Sequence, residues 1–351
     1  QDFDKAFEWF LKTANNGCAV AMNNVGWCYD KGQGTAQDFT KSYEWFLKSA
    51  ENGSIVAMFN VGLCYSKGHG VTQDFTKAFE WYLKAAENGN AAAMYNVGVC
   101  YDIGEGVTQD FTKSYEWYLK SAYKGDADAM FGVGECCESG KGVTQDHTKA
   151  YEWYLKAANN GNTDAMRIVG VCYDKGQGVT QDETKAFEWC LKAANKGDAD
   201  AMFNIAECFS KGQGVAQDFT KAFEWYLKSA NNGNADAMFN AGCCYFKGKG
   251  VMKDFTKAFE WYFKAAKSGN VDAMVTVAKC FSKGKGVAKS DQKAFEWYSK
   301  AAKHDNPQAV HKLAQCYSKG RGVSRDTKEA KRLFQKAKDL GYTDESSCAN
   351  Q

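Results

Sequence analysis

The chain has 351 residues, of which 44% are apolar, 15% aromatic and 25% charged, the composition of a folded protein. Its net charge is +2, with the charges spread along the chain, which gives no electrostatic case for nucleic acid or an anionic membrane. No apolar run approaches the roughly 18 residues that a membrane span needs, so no membrane insertion is expected.

One period governs the rest. Trp9, Trp45, Trp81, Trp117, Trp153, Trp189, Trp225, Trp261 and Trp297 stand 36 residues apart, and Cys28 to Cys316 keep the same step. A fixed period of this length marks a solenoid, in which each unit contacts mainly its neighbours. The fold class expected is therefore all-α: about nine 36-residue helix pairs over residues 18–340, preceded by an orphan helix at Asp2–Asn15. The chain begins at Gln1 in mid-repeat, without an initiator Met or a signal-peptide pattern, and reads as an excerpt. The orphan helix has no polar cap and its Phe3, Phe7 and Phe10 are expected to face nothing, so further repeats or another domain are expected upstream.

Within each pair, helix A opens on a capping residue (Ser54, Asn90, Asp126 and their equivalents) after a Gly suited to closing the preceding helix. It carries an apolar stripe such as Ala93, Met94, Val97, Gly98, Cys100 and Tyr101. Gly98 gives way to Ala206, Ala278 and Ala314 at equivalent places, so smallness rather than backbone freedom is required there, for close helix approach. A Gly-x-Gly such as Gly104-Glu105-Gly106 breaks the chain, and Asp110 caps helix B, with Phe111, Tyr115, Tyr118, Leu119 and Ala122. Glu116 precedes Lys120 by four residues, a step repeated at Glu44/Lys48, Glu80/Lys84 and Glu224/Lys228 that suggests exposed ion pairs. Residues 306–340 read as a capping repeat, with Leu333 in the Trp place and Lys328, Lys331, Arg332, Lys336 and Lys338 crowding its second helix. Residues 341–351 read as a disordered tail.

Fourteen cysteines suggest disulfides, but nine of them recur once per repeat, about 10 Å apart at helix-packing distances, where a bridge needs Cα atoms within about 7 Å. They read as buried free thiols of a reducing, cytoplasmic compartment, with secretion left open because the chain reads as an excerpt. The Gly-x-Gly turns never follow a strand and complete no phosphate-loop fingerprint. His69, His147, His304 and His311 are scattered and form no metal or catalytic set, so no cofactor, no metal and no enzyme activity are expected. The tryptophan ladder lies at core spacing and reads as packing.

Ala57, Gly62, Tyr65, Gly68, Gly70, Val71, Asp74, Lys77, Ala78, Trp81, Lys84, Ala85 and Ala86 resemble the pattern of the Sel-one-like repeat family, and the likeness extends over about residues 1–340. The resemblance implies a relative of the tetratricopeptide repeats: antiparallel helix pairs in a right-handed superhelix, with helix A lining a concave groove. Members typically serve as scaffolds or adaptors. Cysteine-rich secreted members bridge two cysteines per repeat, whereas here the single repeating Cys stands at an apolar place without a regular partner.

The repeats disagree at four places of helix A, those of Val56, Phe59, Leu63 and Ser66, which share one helix face. Drift on an exposed face would favour polar residues, yet aromatic ones recur. Trp27, Phe59, Leu63, Tyr95, Phe131, Phe203, Phe239 and Phe246 are read as anchors of a peptide or protein groove, set among Asp102, Glu135, Arg167, Asp174 and Glu207. An alternative packs some of these rings on the adjacent helix A. The acidic residues suit a somewhat basic ligand segment. Asn24, Asn60, Asn96, Asn204 and Asn240 could hold a peptide backbone or satisfy carbonyls of the next repeat. The function expected is a non-catalytic scaffold binding a protein or peptide segment in the concave groove. Alternatives are a regulatory module attached to an upstream catalytic domain such as a kinase, and a secreted disulfide-stabilised binder.

Overall fold

A computed structural model describes residues 2–343 and is all-helical, with nineteen helices and no strand among the described residues. The chain divides into two compact units, residues 1–181 and 182–351. The first holds α1 (Phe3–Asn15), α2 (Ala19–Lys31), α3 (Phe39–Glu51), α4 (Ile55–Lys67), α5 (Phe75–Glu87), α6 (Ala91–Ile103), α7 (Phe111–Ala122), α8 (Ala127–Ser139), α9 (His147–Asn159) and α10 (Thr163–Lys175). The second holds α11 (Glu183–Asn195), α12 (Ala199–Lys211), α13 (Phe219–Asn231), α14 (Ala235–Lys247), α15 (Phe255–Lys267), α16 (Val271–Lys283), α17 (Asp291–Ala302), α18 (Pro307–Lys319) and α19 (Thr327–Asp339). Even-numbered helices are helix A of a pair and odd-numbered ones helix B. Each unit is an α/α solenoid.

Local chemistry sets the helix ends. Asp74 caps α5 by accepting from the Lys77 backbone N–H at 3.0 Å, and Asn90 caps α6 through Ala93 at 2.8 Å. Helix A closes on a left-handed Gly whose N–H returns to the repeating Cys carbonyl, as Gly104 does to Cys100 at 2.9 Å. The turn that follows is braced by a glutamine, Gln109 Nε2 donating to the Asp102 carbonyl at 2.6 Å.

The core of a pair is a row of fully buried apolar residues, Val25, Val61, Val97, Val133 and Val169 in the first unit and Ile205 and Val277 in the second. Gly98 lies under the ring of Tyr118, where a Cβ would come within 2.6 Å of the ring edge, and Gly62 lies likewise under Tyr82. The small residue is therefore needed for a ring of the partner helix B. Successive pairs meet through edge-to-face rings: Phe79 of α5 on Tyr101 of α6 with centroids 5.4 Å apart, and Phe223 of α13 on Tyr245 of α14 at 5.1 Å.

Three expectations are corrected. Phe7 and Phe10 do face a partner: α1 packs on α2 as a helix B would, with Phe7 edge-on to Tyr29 at 5.3 Å and Phe10 against the local core. The lysines of the Glu–Lys steps sit over the tryptophan three residues earlier: Lys84 on Trp81 at 4.6 Å, Lys120 on Trp117 at 3.9 Å and Lys228 on Trp225 at 4.1 Å. A broad ring face one turn away shelters the lysine stem and attracts its charge, which an exposed carboxylate does less well. At the C-terminal end, Tyr342 stacks on His311 with centroids 4.1 Å apart, so the packed chain reaches into the expected tail; 344–351 lie outside the described residues.

The two glycines of each turn do different work. At Gly104 (φ 74°) a Cβ would come within 3.2 Å of the Gln109 Cβ, a tight contact that a small shift relieves. Gly106 (φ 73°) lies on the carbonyl of Phe75, the first residue of helix B in the preceding pair, and a Cβ there would overlap that oxygen. Gly104→Ala is expected to cost about 1–2 kcal/mol for the left-handed conformation, and Gly106→Ala about 3 kcal/mol or more, because a backbone overlap is added. Urea unfolding of the two variants checks the order; equal losses would refute it.

Candidate protein-binding surface

The variable positions of helix A lie along one edge of each pair, and their local surroundings differ. In α2, Trp27 is 44% exposed, with Val20 more open still, and Val56 is exposed on α4. Trp27 and Leu63 are brought together, lining a cavity of about 210 Å³ with Asp30, Asn60, Lys67 and His69. Asn60 donates across this cavity wall to Asn23 Oδ1 at 2.9 Å, linking α4 to α2, whereas Asn96 bonds the Ala92 carbonyl of its own helix at 2.8 Å.

The five periodic aromatic residues are half-buried. Phe59 packs on Tyr82, Tyr95 on Tyr118, Phe131 on Tyr154, Phe203 on Tyr226 and Phe239 on Tyr262, with centroids 5.4–5.9 Å apart. Each ring thus leans on helix B of its own pair rather than on the adjacent helix A. The signal was present in the sequence as a Tyr 23 residues after each aromatic. Phe246 packs on Phe255 at 5.2 Å, with the Lys285 ammonium over its ring at 4.4 Å.

Asp102 and Glu135 are brought together in a second cavity of the first unit, about 280 Å³, with Glu138, Lys141, Tyr118 and Gly132. Glu138 accepts from the Tyr154 hydroxyl at 2.7 Å and from Gln177 Nε2 at 3.2 Å. Glu135 makes no such bond. Although its side chain reaches solvent, the surrounding helix walls and then the facing Asp102 and Glu138 carboxylates push its carboxyl above the usual range. Gly132 stands where α6 has Asn96 and α10 has Ile168, and its backbone lies against the Tyr118 ring, where a Cβ would come within 3.2 Å.

The remaining expected site residues are engaged locally. Arg167 pairs with Asp164 on its own helix at 3.7 Å. Asp174 is exposed at the end of α10, its carbonyl bound by Gln181 at 2.7 Å. Glu207 accepts from the Tyr226 hydroxyl and pairs with Lys211 at 2.6 Å. Asp128, Asp200 and Asp236, at the start of the variable stripe, accept from the capping Asn162, Asn234 and Asn270 of the next helix A, so they join repeats. Burial raises the repeating thiols, Cys64 to about 12 and Cys100 to about 11, which keeps them protonated. No three His, Cys, Asp or Glu side chains among the described residues are placed to hold a metal ion.

The repeat pattern and the paired helices define an α/α repeat solenoid. The Sel1 repeat matches ten times, over residues 1–18, 19–54 and each successive 36-residue segment to 307–342, so the chain belongs to the Sel1 repeat family. It is similar to a protective antigen of uropathogenic Escherichia coli with an SLR fold, at 32% identity and a TM-score of 0.76 over 94% of this chain and 79% of that one. It is also similar to a Sel1 repeat protein from Oxalobacter formigenes, at 29% identity and a TM-score of 0.71 over 88% of this chain and 90% of that one. No curated protein matches it. Proteins of this repeat class are generally protein-interaction scaffolds.

The raised Glu135 carboxyl has a sign that can be tested. Its charge is held at a cost in the folded chain, so it favours folding below the unfolded carboxyl range near 4 and opposes it as pH rises through its folded value. Glu135→Gln is expected to raise the melting temperature at pH 7 and to leave it unchanged below about pH 4; melting curves across that range read the difference.

Proposed function

We propose that the chain is a scaffold without catalytic activity of its own, which binds a protein segment carrying basic and apolar residues along the helix A edge of its first unit. The observation that carries this reading is that the first unit holds two surfaces of complementary kind. Exposed Val20, Trp27 and Val56 offer an apolar anchor site, and the Asp102–Glu135–Glu138 cavity holds three carboxylates against one lysine. An aromatic at a partly open cleft supplies contact area at low entropic cost, and an under-compensated acidic cavity favours a lysine or arginine. Membership of a repeat family whose proteins are generally interaction scaffolds supports the same reading. The half-buried aromatics contribute by holding helix A in place.

Peptides selected from a random library on the intact chain would test this by fluorescence anisotropy. The expected ligands combine Lys or Arg with apolar residues. Their binding should weaken with salt and fall about tenfold with Trp27→Ala or Glu135→Gln, as for loss of one anchor or one charge partner. Peptides bound equally well by both variants would overturn the assignment.

A further inference from the structure

The last two helix pairs enclose a cavity of about 400 Å³ that the acidic-site reading does not use, walled by α16, α17, α18 and the turn at Arg321. Lys279, Lys283, Lys312 and Arg321 reach it, against a single carboxylate, Asp291. None of the four cations makes an ion pair among the described residues. Lys279 donates to Gln308 Oε1 at 2.8 Å and Lys312 to Gln315 Oε1 at 3.3 Å, which are neutral amide oxygens. The two lysines are peculiar to this part of the chain. The place of Lys279 is held by Glu135 and Glu207 in earlier pairs, and that of Lys312 by Asn60 and Asn240.

Tyr298 of α17 points to the same cavity. It is 5% exposed and belongs to the row of helix B tyrosines. In that row Tyr154 donates to Glu138, Tyr226 to Glu207 and Tyr262 to Cys243. The residues equivalent to those acceptors here are Ser282, which makes no bond to Tyr298, and Lys279, whose ammonium cannot accept. The Tyr298 hydroxyl makes no hydrogen bond among the described residues, and it lines the cavity. A hydroxyl that opens onto the cavity without a protein acceptor, beside four cations that share one carboxylate, is an arrangement that an oxyanion completes.

We propose that this cavity binds a phosphate-type dianion, with Lys279, Lys312 and Arg321 as its charge partners and the Tyr298 hydroxyl as a neutral donor. Two charges suit it better than the one of a carboxylate, because three of the four cations have no counter-charge within it. Burial and then the facing Lys312 and Lys283 hold the Lys279 ammonium below its usual range, a cost that an anion would relieve. The phosphate can be free or carried as a phosphomonoester on a side chain of a partner.

Calorimetric titration of the intact chain with inorganic phosphate tests this, with chloride and acetate at matched ionic strength as controls. Saturable binding of phosphate alone is expected. It should weaken about tenfold or more in the double variant Lys279→Gln, Lys312→Asn, for two lost charged hydrogen bonds, and several-fold in Tyr298→Phe. These substitutions use residues that the chain itself carries at the same places (Gln315, Asn240 and Phe334), so the fold should be kept, and an unchanged melting temperature without phosphate checks it. Lys331→Ala, an exposed lysine of α19, should bind as the parent does. Heat equal to that of acetate or chloride, or undiminished phosphate binding by the double variant, would overturn the proposal. A phosphoserine peptide that binds more tightly than inorganic phosphate assigns the site to a modified partner; the reverse assigns it to a free anion.

Discussion

The close approach of a glycine in each turn to the first carbonyl of the preceding helix B sets the spacing on which the rest depends. Gly70 meets Phe39, Gly106 meets Phe75 and Gly142 meets Phe111 in the first unit, and Gly250 meets Phe219 in the second. The contact is backbone on backbone, so it leaves no room for a side chain and no freedom to slide. A residue inserted between Gly106 and Asp110 would carry the whole of α7 out of register with α5 and α6. The unslipped 36-residue period is therefore a steric requirement of the turns as much as a record of repetition.

With the spacing fixed, the tyrosine of helix B becomes the point at which packing and chemistry meet. Its ring covers a small residue on helix A, and its hydroxyl emerges beside the variable positions. What that hydroxyl meets is then decided by one or two residues of helix A. Glu138 and Glu207 accept from it, Cys243 accepts weakly, and Lys279 cannot accept. One scaffold can in this way carry cavities of opposite sign without a change of backbone, because the alteration is confined to side chains on the rim. Fold and binding specificity are separable in such an array, and the residues that never vary say little about the ligand.

The architecture was largely legible in the sequence because its signals are local or periodic. Capping residues, the Gly-x-Gly turn and the apolar stripe each specify a helix end or a buried face, and period alone orders the pairs. What was not legible depended on which neighbour a side chain chooses. Lys84 had Glu80 and Trp81 both within reach on its helix, and spacing cannot rank a ring face against a solvated carboxylate. Phe131 and its equivalents vary in a manner that suggests a ligand surface, yet each leans on a tyrosine that is distant in sequence. Asp200, at the place of Val56 on the variable stripe, accepts from the next capping asparagine. Variation marks positions released from the turn geometry, and such positions can be recruited to pack as readily as to bind.

Bulk charge was the least informative quantity. A net charge of +2 describes the average of the chain, but a ligand responds to groups within about a Debye length of roughly 8–10 Å. Within the first unit the cavity at Asp102 has an excess of two negative charges, and within the second the cavity at Lys279 has an excess of three positive ones. Neither excess is visible in composition, since each cancels against distant residues. Each raises the free energy of its own site, which appears as a Glu135 carboxyl shifted up and a Lys279 ammonium shifted down. Unfavourable charge retained on a rim where neutral residues fit equally well, as Gln315 and Val171 do at the equivalent places, is what distinguishes a binding position from a structural one in an array whose other positions are settled by packing.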